Sequence, residues 1–159
     1  MLNRLSNLAV LVLSVVCARG IPAATHDDAC VLLTPQQVSG VLGVSVQAGK
    51  PVSVRMCQWE QSDASAPNSK RVLLTVFGQM GRLSPVDRFN NSKTQVRGVA
   101  KDPVSGVGDD AVFISTMGLA LNVRSGAAAF QIRVSGANLS QDQVKQMEIA
   151  LAKQVIPNL

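Results

Sequence analysis

The clearest pattern in the chain is an alternation of apolar and polar residues in its C-terminal half. Residues 119–124 and 128–135 each place an apolar side chain at every second position, with Ser125-Gly126 between them. This period is typical of half-buried antiparallel strands joined by a two-residue turn. With that turn, three cross-strand pairs are predicted: Val123 with Ala128, Leu121 with Phe130, and Leu119 with Ile132. Residues 112–115 would add a third strand to this hairpin.

Shorter strands are predicted earlier in the chain. Residues 44–48 alternate, residues 49–51 break the run, and residues 52–59 continue it, which indicates another hairpin. Residues 71–77 are β-branched and apolar on both faces, as expected for a central strand. Surface loops are predicted at 61–69 and 96–104.

Three helices are predicted from capping signals. Thr34 precedes a proline at the first helical position, and Gly43 ends this short helix. Ser84 repeats the signal and begins a polar surface helix that ends near Lys93. Ser140 begins the C-terminal helix. The apolar stripe of this last helix consists of Val144, Met147, Leu151 and Val155.

These elements predict one α+β domain over residues 25–159. We expect an antiparallel sheet of about five strands, with the N- and C-terminal helices packed on one face and one short surface helix between strands. The composition agrees with a globular chain, because 47% of the 159 residues are hydrophobic and 16% are charged.

Residues 1–24 are predicted to be a secretory signal peptide. Arg4 precedes an apolar run at residues 8–16, and no acidic residue occurs before Asp27. The run is too short to span a bilayer. Small residues place the cleavage site between residues 18 and 24. The prediction is therefore a periplasmic or secreted protein.

The number of cysteines in the mature protein depends on whether the signal peptide is removed. Loss of Cys17 with the signal peptide leaves Cys30 and Cys57, and an even number of cysteines in an oxidising compartment predicts a disulfide between them. An alternative is a lipoprotein anchored through an acylated Cys17. Val16 disfavours this alternative, because the residue before a lipidated cysteine is normally small.

Basic residues concentrate in one segment of the chain. The formal net charge is +5, and between Lys70 and Lys101 seven basic residues occur against the single acid Asp87. Such a segment either binds an anionic partner or is a solvated face. If it binds, Arg82, Arg88 and Lys93 are the candidate contact residues.

The segment at residues 105–111 contains two glycines and two acids. Neither a phosphate-binding loop nor an EF-hand is indicated, because the Gly-Lys-Ser/Thr ending of the former and the twelve-residue ligand pattern of the latter are absent. We predict a structural turn in which Gly106 and Gly108 supply the backbone geometry and Asp109 or Asp110 binds backbone amides.

The residues for catalysis or metal binding are scarce. His26 is the single histidine, and the chain has no tyrosine. Asp109 and Asp110 are adjacent, so on an extended chain they point to opposite sides, which is a poor geometry for a paired-carboxylate site. Two cysteines and one histidine do not form a structural zinc site. We predict no catalytic residue, metal site or cofactor, and a small hydrolase is the weaker enzymatic alternative.

Three short motifs occur in a characteristic order: D-A-C-V-L-L-T at 28–34, C-Q-W at 57–59 and G-V-G-D-D-A at 106–111. Together with the hairpin and closing helix, they resemble a class of exported bacterial domains of uncharacterised function, many of which are lipoproteins. The resemblance covers most of the mature chain and implies an envelope location. It supplies no catalytic residue.

The predicted function is that of an exported, non-catalytic binding module. Its first expected partner is another protein of the cell envelope. The alternative is an anionic polymer or lipid surface, bound through residues 70–101. Nucleic acid is not an expected partner, because export removes the usual targets and the basic segment contains only Phe77 and Phe89 for stacking.

Overall fold

The computed structural model describes residues 28–63, 65–94, 101–115 and 118–159. It confirms the α+β class: an open antiparallel sheet carries three α-helices. The predicted signal peptide, the alternative anchor at Cys17 and the single His26 lie outside the described residues.

The sheet has seven strands rather than about five, in the order β1-β2-β3-β7-β6-β5-β4, and neighbouring strands are antiparallel. The strands are β1 (Lys50–Ser53), β2 (Met56–Glu60), β3 (Arg71–Val76), β4 (Lys101–Val104), β5 (Asp110–Ser115), β6 (Leu119–Ser125) and β7 (Ala128–Ser135). The helices are α1 (Pro35–Leu42), α2 (Pro85–Thr94) and α3 (Gln141–Val155). Short 3₁₀ turns at Ala29–Val31 and Ile156–Asn158 flank the helical segments.

The two edge strands account for the difference in strand number. The predicted strand at residues 44–48 is wrong, since Val46 forms only an isolated bridge with Gln61. The single strand predicted at 52–59 is also wrong, because a turn at residues 54–55 divides it between β1 and β2, which form the first hairpin. The predicted loop at 96–104 is also corrected, because β4 occupies its described part. Both edge strands contain a proline and are almost wholly exposed. Without a buried face they show no apolar alternation, and a proline is tolerated at an edge.

The predicted register of the β6–β7 hairpin is wrong by two residues. The turn lies at Gly126-Ala127, so Val123 pairs with Phe130 and Leu121 pairs with Ile132. Side chains alternate with a period of two, so a shift of two residues leaves every side chain on its predicted face. The apolar pattern alone therefore could not distinguish the two pairings.

One face of the sheet carries the main core, which also includes α1 and α3. The helix caps predicted at Thr34 and Ser140 are confirmed, and each forms a capping box, Thr34 with Gln37 and Ser140 with Gln143. The buried helical contributors are Val38, Leu42, Leu151, Ala152 and Val155. They share the core with sheet residues that include Trp59, Leu74, Leu121, Phe130 and Ile132.

The second helix lies on the opposite face. The fully buried Phe89 forms a smaller core with Val112, Ile114 and Ala129. The prediction of a polar surface helix holds for its outer residues, but this phenylalanine fixes α2 to the sheet. Strand β3 is central, as predicted. Its second face is only partly covered, because Leu73 and Thr75 are half-buried.

The predicted disulfide is confirmed between Cys30 and Cys57, whose Cα atoms are 5.0 Å apart. It ties the 3₁₀ turn before α1 to strand β2, and Cys57 is fully buried. None of the described helices is long and apolar enough to cross a bilayer.

Candidate binding surface

The β1–β2 hairpin exposes apolar side chains at one end of the sheet. Its turn lies at Val54-Arg55, and 54% of Val52 and 70% of Val54 are exposed. In the sequence, Val52, Val54 and Met56 occupy every second position. Because β1 is an exposed edge strand and Val54 lies in the turn that follows it, both valines remain open to solvent.

A groove runs beside this hairpin. It has a volume of about 340 Å³ and is lined by Asp28, Pro51, Ser53 and Val54. Asp28 accepts a hydrogen bond from the Cys30 amide (2.9 Å) and so begins the 3₁₀ turn at Ala29–Val31. That turn packs against β1, β2 and β3. Its last residue, Val31, is 63% exposed.

The loop after β3 meets the same end of the sheet. The Val76 amide donates to the Arg55 carbonyl (2.8 Å), and a Cβ on Gly78 would overlap the Arg55 guanidinium. Two residues further on, 57% of Met80 is exposed. Val31, Val52, Val54 and Met80 are the exposed large hydrophobic residues of the described chain. We call these four residues, with the groove, the hairpin-end surface.

The candidate contact residues of the basic segment have unequal environments. Arg88 donates from Nη1 to the Gly78 carbonyl (2.9 Å) and lies 5.1 Å from the centre of the Phe77 ring. Lys93 forms a 2.7 Å ion pair with Asp110 and lies over the ring of Phe89. Both therefore help to hold α2 in place.

Arg82 differs from its two neighbours. It is exposed and forms no hydrogen bond or ion pair within the described part of the chain. Elsewhere in the segment, Lys70 donates to the Leu42 carbonyl (2.6 Å) and Arg71 pairs with Glu60 (3.0 Å). Much of the positive charge predicted to face a partner is thus engaged within the molecule.

The glycine turn before β5 links two parts of the sheet. Gly106 and Gly108 have φ angles of 75° and 59°, in the left-handed region. Asp109 accepts from the Gly126 amide (2.7 Å) and from Arg124 Nη1 (3.1 Å), so it ties this turn to the β6–β7 turn. Asp110 instead pairs with Lys93, and the two neighbouring carboxylates therefore take different partners.

A buried acid in α3 is absent from the sequence-based predictions. Glu148 is 0% exposed, and its Oε1 accepts from the Val134 amide (2.7 Å). Burial raises the pKa of Glu148 to about 8, and the amides of Val134 and Leu121 and the charge of Arg133 only partly oppose that shift. The sequence does contain a signal for this burial, since Glu148 follows Val144 by one helical turn and precedes Leu151 on the apolar stripe.

Across the described ranges, no group of three or more histidine, cysteine, aspartate or glutamate side chains is placed to hold a metal ion. No protein family, curated protein or solved structure matches this chain.

Proposed function

We propose that the protein is an exported, non-catalytic binding module of the cell envelope that docks on a partner protein through the hairpin-end surface. The observation that carries this proposal is the exposure of Val31, Val52, Val54 and Met80 on the β1–β2 hairpin and on the two segments next to it. Single exposed hydrophobic residues are ordinary, but a group of them at one place is typical of an interaction surface.

The disulfide supports export. A bond between Cys30 and Cys57 fits a periplasmic or extracellular location, where disulfides form and persist. It also bears on the surface itself, because Cys30 lies between Asp28 and Val31 and is fixed to β2 through Cys57. The disulfide therefore holds one side of the groove against the hairpin.

The shape and charge of the surface favour a protein partner over an anionic polymer or lipid. The groove has apolar walls at Pro51 and Val54 and a carboxylate at Asp28, which suits an apolar side chain next to a basic one. The alternative, binding of an anionic surface through residues 70–101, draws less support because Lys70, Arg71, Arg88 and Lys93 already have intramolecular partners.

Crosslinking capture with matched variants tests this function. The mature protein is purified from the exported fraction, and its N-terminal sequence is determined first. We expect it to begin between residues 19 and 25, whereas an acylated Cys17 would show the lipid-anchored alternative. The protein is then used to capture partners from an envelope extract. The double variant Val52→Ser/Val54→Ser should lose at least tenfold of the captured partner, because truncated anchors cost about 1 kcal/mol or more each.

The control is Arg82→Gln/Lys101→Gln, which removes two exposed cations of the basic segment that have no partner within the described ranges. It should capture the partner as well as the unaltered protein does. The reverse result, with loss only in the cation variant and a flattened salt dependence, would contradict the proposal and favour the anionic alternative.

A further inference from the structure

Glu148 lies where the pairing between β6 and β7 ends. The last β6–β7 pair in that direction is Leu121 with Ile132, and two residues beyond it the Val134 amide donates to Glu148 Oε1 (2.7 Å). A side chain from α3 thus supplies an acceptor where a continued ladder would have supplied a carbonyl. The other oxygen, Oε2, is buried without a hydrogen-bonding partner among the described residues. The helix is therefore joined to the sheet through a fully buried carboxyl group.

Few charges surround this carboxyl. Helix α1 and the turn at Ile156–Asn158 contain no charged residue. On the sheet, β7 contributes Arg133, whose charge favours the ionised carboxylate, and Arg124 of β6 is paired with Asp109. Within α3 itself, Lys145 is paired with Asp102 of β4 (2.6 Å). Of the charged residues on α3, the two others are Asp142 and Lys153.

We propose that the neutral form of Glu148 holds α3 on the sheet and that loss of its proton loosens the helix, so that α3 is a pH-responsive element of this fold. An ionised carboxylate at this position would keep one oxygen in an apolar interior without a hydrogen bond, which is costly. Opening of α3 would bring water to the carboxylate and remove that cost.

The sign of the pH effect on α3 and its pH range follow from the linkage between protonation of Glu148 and folding. The pKa of Glu148 is raised from an ordinary value of 4.5 to about 8 in the folded protein. Its stabilising contribution is therefore complete below the unfolded pKa and is lost as the pH rises toward the folded pKa. Between those two values the opening equilibrium should shift by up to about tenfold per pH unit.

Carbon NMR tests the proposal directly, because the sequence contains only two glutamates, Glu60 and Glu148. Labelling glutamate with ¹³C at Cδ gives two resonances, and the variant Glu60→Gln assigns the remaining one. We expect the Glu148 resonance to titrate with a midpoint near pH 8. Amide exchange protection at Val134 and along α3, corrected for intrinsic exchange, should fall as the pH rises from about 5 to 8 and level off above that. A midpoint near 4.5, or a titration with unchanged protection of α3, would overturn the proposal.

The variant Glu148→Gln provides the second test. Its neutral side chain can still accept from Val134, so protection of the α3 amides, corrected for intrinsic exchange, should become independent of pH from 5 to 8. Glu60→Gln is the matched control and should keep the dependence of the unaltered protein. If Glu148→Gln keeps the same dependence, another group is responsible and the proposal fails. If Glu148→Gln does not fold, the carbon NMR titration and amide exchange of the unaltered protein still test the proposal.

Discussion

At the scale of single residues, the disulfide and the only tryptophan of the chain meet at a glycine. A Cβ on Gly49 would lie 2.8 Å from Cys57 Sγ and 2.8 Å from Trp59 Nε1. Both neighbours are fully buried, and neither can move easily, since one belongs to a disulfide and the other to a large ring packed in the core. The missing side chain at residue 49 is therefore part of how this region packs.

We expect Gly49→Ala to destabilise the protein by about 1–3 kcal/mol, the usual cost of overpacking a core. The matched control is Gly40→Ala within α1, where a Cβ would meet nothing within 4 Å. This change should stabilise by about 0.5–1 kcal/mol, because alanine is the better helix former. Urea unfolding measures both. Equal effects of the two substitutions would show that the packing around residue 49 is looser than described.

Local sequence predicts some of the single-residue features and not others. Thr34 and Ser140 were identifiable as helix caps because their partners are three residues away. The burial of Glu148 and the hydrogen bond of Arg88 depend on residues outside their own helices, so their environments follow only from the assembled fold.

At the scale of elements, the glycine turn before β5 fixes how the sheet is joined. A Cβ on Gly108 would overlap the Arg124 carbonyl of β6 and lie 2.9 Å from Val123 Cγ1. Gly106 has a similar left-handed backbone, but open space surrounds the position of its missing side chain. The first glycine is thus required for backbone conformation alone, and the second also for close approach to β6.

Substitution by alanine should therefore destabilise the protein less at Gly106 than at Gly108. Gly106→Ala should cost about 1–2 kcal/mol from the left-handed conformation, and Gly108→Ala about 2–4 kcal/mol because the contact with β6 is added. Thermal or urea unfolding of the two variants measures the difference between their free energies of unfolding. A Gly106→Ala variant as unstable as Gly108→Ala would mean that backbone conformation, rather than proximity to β6, governs this turn.

The elements with strong internal patterns were also the ones predicted best. Helices α1 and α3 and the strands of the β6–β7 hairpin were found from capping and alternation. The pattern does not predict β4, and it joins part of β1 to β2 in one strand at 52–59, because an exposed edge strand imposes no apolar period on its sequence. The hairpin register was missed because moving the turn by one residue changes every partner and no face.

At the scale of the whole molecule, both faces of the sheet carry helices, and one end of the sheet carries exposed apolar residues. Helices α1 and α3 share the main core, while α2 is anchored through Phe89 on the other face. The basic segment of the sequence predicts Arg82, Arg88 and Lys93 as the candidate contact residues. The pattern alone does not predict the hairpin-end surface, because strand pairing and the disulfide bring the 3₁₀ turn that carries Val31 against β1.

Site-specific photocrosslinking tests the central claim that this surface contacts a partner protein. A photoreactive amino acid replaces Val54 in one variant and the exposed Lys153 of α3 in a control, and both proteins are expressed in the native host. Irradiation should give a discrete protein adduct from position 54, lost when Val52→Ser is added, and none from position 153. Adducts of equal yield from both positions, or an adduct from position 153 alone, would contradict the proposed binding surface.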